Sequence, residues 1–383
     1  MPTTSDQLRE RARALAPAIA ARAPDAERQR KPHNETIAAL VEAEILQMLV
    51  PARWGAPESD LPTMFGVVEE ISAACVSTGW IASFYINHNV YAAKFSEALQ
   101  QEIFGTRGFT LMPGANSPTM NAVRVEGGWR VSGRASWGSG VMHADWVYVS
   151  GLTTEGPRAF ALPVADVRVD DVWHMTGMAG TGSNDIVIDD AFVPDHRVTN
   201  GVEFRAGPTA GSALYANPLY SMPQLPLAYC TVVGVLSGGL AGMMRAYRDI
   251  VTKRVRNFSG SVVKDQQHAH VALGDLELRT MIAHDLARGL IEKVESILHS
   301  RPFTLDDRVA LKGHLAFVSQ HVRDSANAIM AAAGASSFHV DQPLQRFWRD
   351  LNTVCSHAFW DWDTTRELVG RQQLGLEPNH PLV

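Results

Sequence analysis

Apolar positions recur along this chain with two different periods, and the change of period divides it into three zones. Up to about Arg107 the spacing is helical. Leu8, Ala12, Leu15 and Ile19 share one face, and Asn34 reads as the N-cap of a helix carrying Ile37, Leu40, Val41 and Ile45. Met64, Phe65, Val68 and Ile71 make a third stripe after Pro62. A fourth begins near Thr78-Gly79-Trp80 and runs through Phe84, His88 and Tyr91. From about 108 to 205 the period falls to two. Strands are expected over 109–112, 122–126, 129–133, 145–150, 159–163, 168–173 and 185–193. Short strands with regular turn signals suggest a small barrel or sandwich. Beyond 206 long helices return, over roughly 225–256, 264–299, 305–333 and 344–370. Thr304 before Asp306 and Asp307 is a helix start, and the small-residue run 331–337 reads as a helix end with a glycine cap. The pattern predicts an α+β chain: a helical domain over 1–107, a β-domain over 108–205 and a helical domain over 206–383.

The segment 225–244 is long enough to span a bilayer and carries no charge. Pro226, Tyr229, Cys230, Thr231 and Ser237 interrupt it, and no second such run exists. A helix apolar all round is also what the centre of a bundle or a subunit interface requires. Gly234, Gly238 and Gly242 would let a neighbouring helix approach closely, so a buried helix is expected and no membrane.

Composition narrows the class. With 383 residues and 46 % hydrophobic side chains the chain can bury a large core. A net charge of −6 disfavours nucleic acid as a partner. Cys75, Cys230 and Cys355 lie far apart, which fits a reducing compartment. The N-terminus lacks a basic and apolar leader pattern, so a cytoplasmic protein is expected. The fourteen histidines form no metal-ligand spacing. No Gly-x-Gly-x-x-Gly follows a strand and no Gly-x-Ser-x-Gly elbow occurs.

The chemistry concentrates in Trp129-Arg-Val-Ser-Gly-Arg-Ala-Ser-Trp-Gly-Ser-Gly140, followed by His143 and Asp145-Trp146. Two alternating runs split by Gly127-Gly128 signal a hairpin. Glycines on both sides of Ser139 would let a flat ligand approach, though a Gly-rich turn alone has the same look. Three further segments join it: 177–194, Arg256 to Gln267, and 343–350. Together these resemble the acyl-CoA dehydrogenase superfamily over nearly the whole chain. Within it they resemble the two-component branch of reduced-flavin-dependent monooxygenases that hydroxylate aromatic compounds, phenol and indole hydroxylases among them.

The resemblance implies an N-terminal helical domain, a middle β-barrel or sandwich and a C-terminal four-helix bundle, assembled as a homotetramer. It implies reduced flavin (FADH2 or FMNH2) from a separate NAD(P)H:flavin reductase. That flavin would react with O2 to a C4a-hydroperoxyflavin that hydroxylates a small aromatic substrate. Ser139 then resembles the partner of the flavin N5, with Trp137 and Gly138 against the ring; a turn hydroxyl is the plain alternative. His143 would touch the cofactor or bond within the β-domain. Arg256 and Gln267 resemble the residues that meet the pyrophosphate and adenine end, although a surface arginine would look alike. Dehydrogenases commonly carry a catalytic glutamate after the Arg349-Asp350 pair. Here His357 falls close to that place, one turn before Trp360, and a histidine can take and return a phenol or indole proton. His88 resembles the substrate-side histidine of these hydroxylases. Asn116 and Ser117, in a loop rich in Pro, Asn and Ser, fall where substrate-side polar groups sit. Ala179 stands where an arginine is common. The alternatives are an acyl-CoA dehydrogenase with a displaced base, an N-oxygenase of an amino sugar, and a scaffold that has lost its flavin.

Overall fold

Two hydrophobic cores, one of helices and one of strands, organise residues 3–255 and 260–379, which the computed structural model describes. The first five helices are α1 (Ser5–Gln29), α2 (Asn34–Glu42), α3 (Leu61–Ser72), α4 (Val76–Ala92) and α5 (Glu97–Phe104). The strands follow as β1 (Gly114–Val125), β2 (Gly128–Gly138), β3 (Trp146–Thr153), β4 (Gly156–Pro163), β5 (Arg168–Asp170), β6 (Asn184–Pro194) and β7 (Val198–Asn200). The chain closes with α6 (Gly201–Ala206), α7 (Gln224–Lys253), α8 (Gln267–Leu298), α9 (Leu305–Ala333), α10 (Pro343–Val354) and α11 (Trp362–Gln373).

The strands form one mixed sheet in the order β5-β6-β2-β1-β3-β4-β7, with β1 and β3 parallel. It curves strongly. In a flat sheet β2 and β4, three places apart, would lie about 14 Å from each other, yet Trp129 and Phe160 pack with ring centroids 6.1 Å apart. Val131, Val149, Leu162 and Ile188 fill the space so enclosed. The hairpin turns at Glu126-Gly127, with Gly127 in the left-handed region at φ 74°.

Three local expectations are corrected. Residues 109–112 are not a strand; β1 starts at Gly114 and takes in Asn116 and Ser117, with a register break between Ala115 and Pro118. The loop-forming residues sit at that bulge, where a proline costs no ladder bond. Asn34 is not the cap of α2. His33 is, its Nδ1 accepting the Glu35 N–H at 3.3 Å, while Asn34 Oδ1 bonds His143 Nε2 at 2.9 Å. The helix expected over 344–370 is two, α10 and α11, broken at His357. Helix α5 had no expectation at all. The capping box of Thr304 and Asp307 at α9 and the Gly334 cap at φ 77° match the sequence reading.

Helix α7 is long and apolar enough to cross a membrane, but 89 % of its most apolar stretch is buried inside the protein. Its glycines carry the packing on α3. A Cβ at Gly234 would stand 3.1 Å from a Val68 methyl, at Gly238 2.2 Å from the Glu69 carbonyl oxygen, and at Gly242 2.4 Å from that of Ala73. Backbone cannot yield as a side-chain tip can. Gly238→Ala should therefore lose about 1–3 kcal/mol of stability, read from the urea midpoint. Gly274→Ala on α8, where a Cβ meets nothing within 4 Å, should instead gain up to about 1 kcal/mol.

Candidate active site

Helix α4 sets the site. Trp80, Phe84 and His88 follow at four-residue spacing and lie on one face. Trp80 and Phe84 ring centroids are 4.7 Å apart, and Phe84 and His88 meet edge to face at 5.1 Å. All of α4 is buried except Phe84, which is half-buried. His88 is closed in by Tyr91 and Tyr148, at 5.1 and 5.2 Å.

His357 joins the other end of this row. It stacks on Trp360 at 4.5 Å and 13°, and its centroid lies 5.8 Å from that of Trp80. The extended backbone at His357 ends the α10 region, and its Nδ1 accepts the Phe359 N–H at 3.2 Å, capping a short turn. This is why the expected single helix breaks there. Trp360 Nε1 is buried with no hydrogen-bond partner.

Ser139 lies at the same indole. Trp80 Nε1–H donates to Ser139 Oγ at 3.0 Å. Ser139 Oγ is 2.8 Å from Ser183 Oγ, which is 2.7 Å from Thr181 Oγ1, which donates to the Met178 carbonyl at 2.8 Å. Met178 has φ 56°, and its N–H is held by Asp350 Oδ1 at 2.5 Å. Ser139, His357 and His88 are thus brought together along one aromatic row. Trp80, Thr181, Ser183 and Asp350 went unassigned from sequence. The four-residue spacing of Trp80, Phe84 and His88 was available as a signal; the hydroxyl chain was not.

Trp137 sits beside them in a strained conformation. The β2–β6 register breaks between Ala135 and Gly138, and Trp137 has φ 64°, rare for a bulky residue. Asp185 Oδ1 accepts its N–H at 3.1 Å. The indole is 63 % exposed, edged by Trp173 at 6.1 Å. The flanking glycines have local reasons. A Cβ at Gly138 would stand 2.7 Å from Ile186 Cδ1, and Gly140, at φ 87°, packs on Tyr85, whose hydroxyl donates to its carbonyl.

Burial controls the charges. It pushes both His88 and His357 down to about 4, so both are neutral at pH 7. His143 is also lowered to about 4, by burial and then by Lys31, and its Nδ1 is buried without a partner. The tautomers of the first two differ. His88 Nδ1–H donates to the Met112 carbonyl at 2.8 Å, which leaves Nε2 a lone pair. His357 Nδ1 is an acceptor, so Nε2 carries the hydrogen. Burial raises the Asp350 carboxyl to about 6.

Other sequence-predicted residues fall elsewhere. Asn116 Oδ1 accepts from the Tyr148 hydroxyl at 3.1 Å and from Gln224 Nε2 at 2.7 Å, behind the His88 box. Ser117 is exposed on β1 and Gln267 is exposed at the start of α8; neither is gathered with the cluster. Arg256 lies outside the described residues. Ala179 is buried one residue after Met178. A cleft of about 430 Å³ between α3, α7 and α8, lined by Glu69, Ser237, Arg245 and His284, shares no residue with this cluster. The aromatic and hydrogen-bonding convergence, not that cleft, gathers the sequence-predicted residues Ser139, His357 and His88. Among the described residues no group of three or more His, Cys, Asp or Glu could hold a metal ion.

With an exposed strained indole, a hydroxyl with a lone pair to spare and an orphaned buried N–H, these residues fit a flat heteroaromatic ligand such as flavin. The chain matches the family models for the acyl-CoA dehydrogenase N-terminal domain over residues 2–104 and C-terminal domain over 232–362. It is 36 % identical to a pigment production hydroxylase of a Rhodococcus species, over the whole of both chains. It is 30 % identical to the flavin-dependent monooxygenase oxygenase subunit HsaA of Mycobacterium tuberculosis, over 96 % of this chain and 95 % of that one. Among solved structures it resembles XiaF from a Streptomyces species in complex with FADH2 and glycerol. The TM-score is 0.90 at 26 % identity, over 99 % of this chain and 98 % of that one.

The buried histidines make stability depend on pH. A histidine lowered from 6.5 to about 4 binds its proton more readily in the unfolded chain. Its contribution is complete above about 6.5 and is lost as pH falls through about 4. The single Asp350, raised to about 6, opposes this only partly. The urea midpoint should fall steadily from pH 6.5 to 4, and His88→Gln or His357→Gln should each flatten the fall.

Proposed function

The chain belongs to the acyl-CoA dehydrogenase family, in its branch of flavin-dependent monooxygenase oxygenase components, and from that premise we propose that it hydroxylates a small phenolic or indolic ring at the Ser139–Trp80–His357 cluster. The observation that carries the reading is that Ser139 and His357, 218 residues apart in sequence, converge on the Trp80 indole. Reduced flavin from a separate reductase would supply the electrons and the centre at which O2 is activated. The FADH2 in the related XiaF makes reduced FAD the first candidate.

Each side chain then has a task that its bonding allows. Trp137, its backbone pinned by Asp185, would wall the flavin ring. Ser139 Oγ would accept a hydrogen bond from the N5–H of reduced flavin. His357 offers Nε2–H as a donor toward oxygen, fixed in that tautomer by the Phe359 N–H. His88 offers Nε2 as an acceptor for the phenol O–H or indole N–H, fixed by the Met112 carbonyl. A donor and an acceptor at the two ends of one row orient a ring substrate and take its proton as the ring is attacked. Phe84, Tyr91 and Tyr148 keep the His88 end dry, which protects a reactive oxygen species from water. Asn116 braces the Tyr148 wall from behind.

We assign the protein to a homotetramer. Val271, Leu278, Met281 and Ile282 expose an apolar stripe on α8, and Phe317 adds to it from α9; such a stripe is usually covered. The three cysteines are free and buried, in keeping with a reducing, cytoplasmic setting.

With reduced FAD, O2 and a panel of phenols and indoles, O2 uptake should depend on substrate and yield hydroxylated product. His357→Ala should cut product formation by about 10²-fold and divert O2 to hydrogen peroxide, with flavin affinity kept. His88→Ala should raise KM for substrate more than it lowers kcat. Hydroxylation by His357→Ala at the normal rate would remove it from the mechanism, and sedimentation as a monomer would remove the tetramer.

A further inference from the structure

The hydroxyl chain beneath Ser139 admits one arrangement of its hydrogens. The Met178 carbonyl can only accept, so the Thr181 hydroxyl donates to it. That spends Thr181's one hydrogen, and in the 2.7 Å contact with Ser183 it is Ser183 that donates. Ser183's hydrogen is then spent as well, so in the 2.8 Å contact with Ser139 it is Ser139 that donates. Trp80 Nε1–H, which can only donate, fills one lone pair of Ser139 Oγ at 3.0 Å. Half-buried Ser139 is left with one lone pair and no hydrogen to offer a ligand. The chain cannot easily reverse, because its far end is locked. Besides Thr181, the Met178 carbonyl accepts from Trp173 Nε1–H at 2.9 Å, and Asp350 holds the Met178 N–H. Thr181 and Ser183 are both buried, away from competing water.

We propose that Thr181 and Ser183 are positioning residues that set Ser139 as a pure acceptor and thereby make the site select reduced over oxidised flavin. The inference rests on the reading above that Ser139 faces the flavin N5. Reduced flavin carries a hydrogen on N5 and can donate it to Ser139. Oxidised flavin has a bare lone pair there, so two acceptors would face each other and neither would be satisfied. The binding preference would then be written into the polarity of a hydroxyl chain two residues removed from the ligand. Removing the Ser183 hydroxyl would free the Ser139 hydrogen to swing toward N5.

Anaerobic titrations of the purified protein with reduced FAD and with oxidised FAD test this without any turnover. Ser183→Ala should tighten oxidised FAD by about tenfold, the worth of one hydrogen bond, and change reduced FAD little. Thr181→Val should shift the ratio of the two dissociation constants in the same direction, and Ser183→Thr, which keeps the hydroxyl, should restore the wild-type ratio. Tighter binding of one redox form cannot come from a damaged fold. If Ser183→Ala weakens both forms together, or leaves the ratio within twofold of wild type, the chain does not set the preference. Ser139→Ala separates the two claims. It should weaken reduced FAD, and if it changes neither affinity, Ser139 does not face the flavin and the underlying reading fails instead.

Discussion

The peptide of Met178 is the point on which the two halves of the molecule depend. Its N–H is bound by the carboxylate of Asp350 from α10, in full burial, and Asp350 takes a second hydrogen bond from Ser77 on α4 at 3.3 Å. A buried carboxylate is costly to leave unpaired, so these donors are obligatory and hold α4, α10 and the loop before β6 in fixed relation. Neighbouring Arg349 adds the Thr176 carbonyl and a 2.5 Å ion pair to Glu27 of α1. Met178 sits in the left-handed region to make this possible, a conformation that persists only where its surroundings over-determine it. From its carbonyl, order passes through Thr181 and Ser183 to Ser139. This amide is thus one of the points that register the strand core to the helix core, beside the Trp80–Ser139 and Tyr85–Gly140 hydrogen bonds.

The candidate site gathered around Trp80 has no formal charge at its centre. His88 and His357 are both held neutral by burial. They differ only in which nitrogen keeps the hydrogen, and in each a main-chain group decides it: a carbonyl for His88, an N–H for His357. Polarity is therefore set by fixed dipoles rather than by ions. In a desolvated pocket fixed dipoles act strongly and need no reorganisation at the moment of reaction. An ionised group there would bring water with it.

Much of this was legible in the chain. The three zones follow from the change of period, since helix and strand place apolar residues at incompatible spacings. The bounds of α9 follow from Thr304 and Gly334, whose caps are local chemistry. The glycines of α7 foretold close helix packing, and α3 with its C-cap Ala73 is what they meet. The failures are tertiary. Nothing near His357 in sequence breaks a helix; the break serves a ring stack on Trp360 and a cap on Phe359. Asn34 has the chemistry of a cap, but His143 of the strand region claims its side chain. The Ser139 chain joins residues from α4, the turn after β2 and the loop before β6, and no spacing along one segment encodes it.

The glycines around Ser139 have a different reason from the one their sequence suggests. Gly138 and Gly140 look like clearance for a ligand, yet Ile186 and the Tyr85 hydroxyl fill the space their Cβ atoms would take. They answer to packing within the fold. The residue that breaks its local rule without a local benefit is Trp137. An indole in the left-handed region costs about 1–2 kcal/mol, and the bulge that allows it also forfeits ladder bonds between β2 and β6. Asp185 offsets part of that cost through the Trp137 N–H. None of it is recovered by burying the ring, which stays largely in solvent. A conformation this costly is explained if the exposed face is covered when the site is filled. On the proposed reading of Ser139 as the flavin's neighbour, the bulge would then serve to aim an aromatic wall at the flavin.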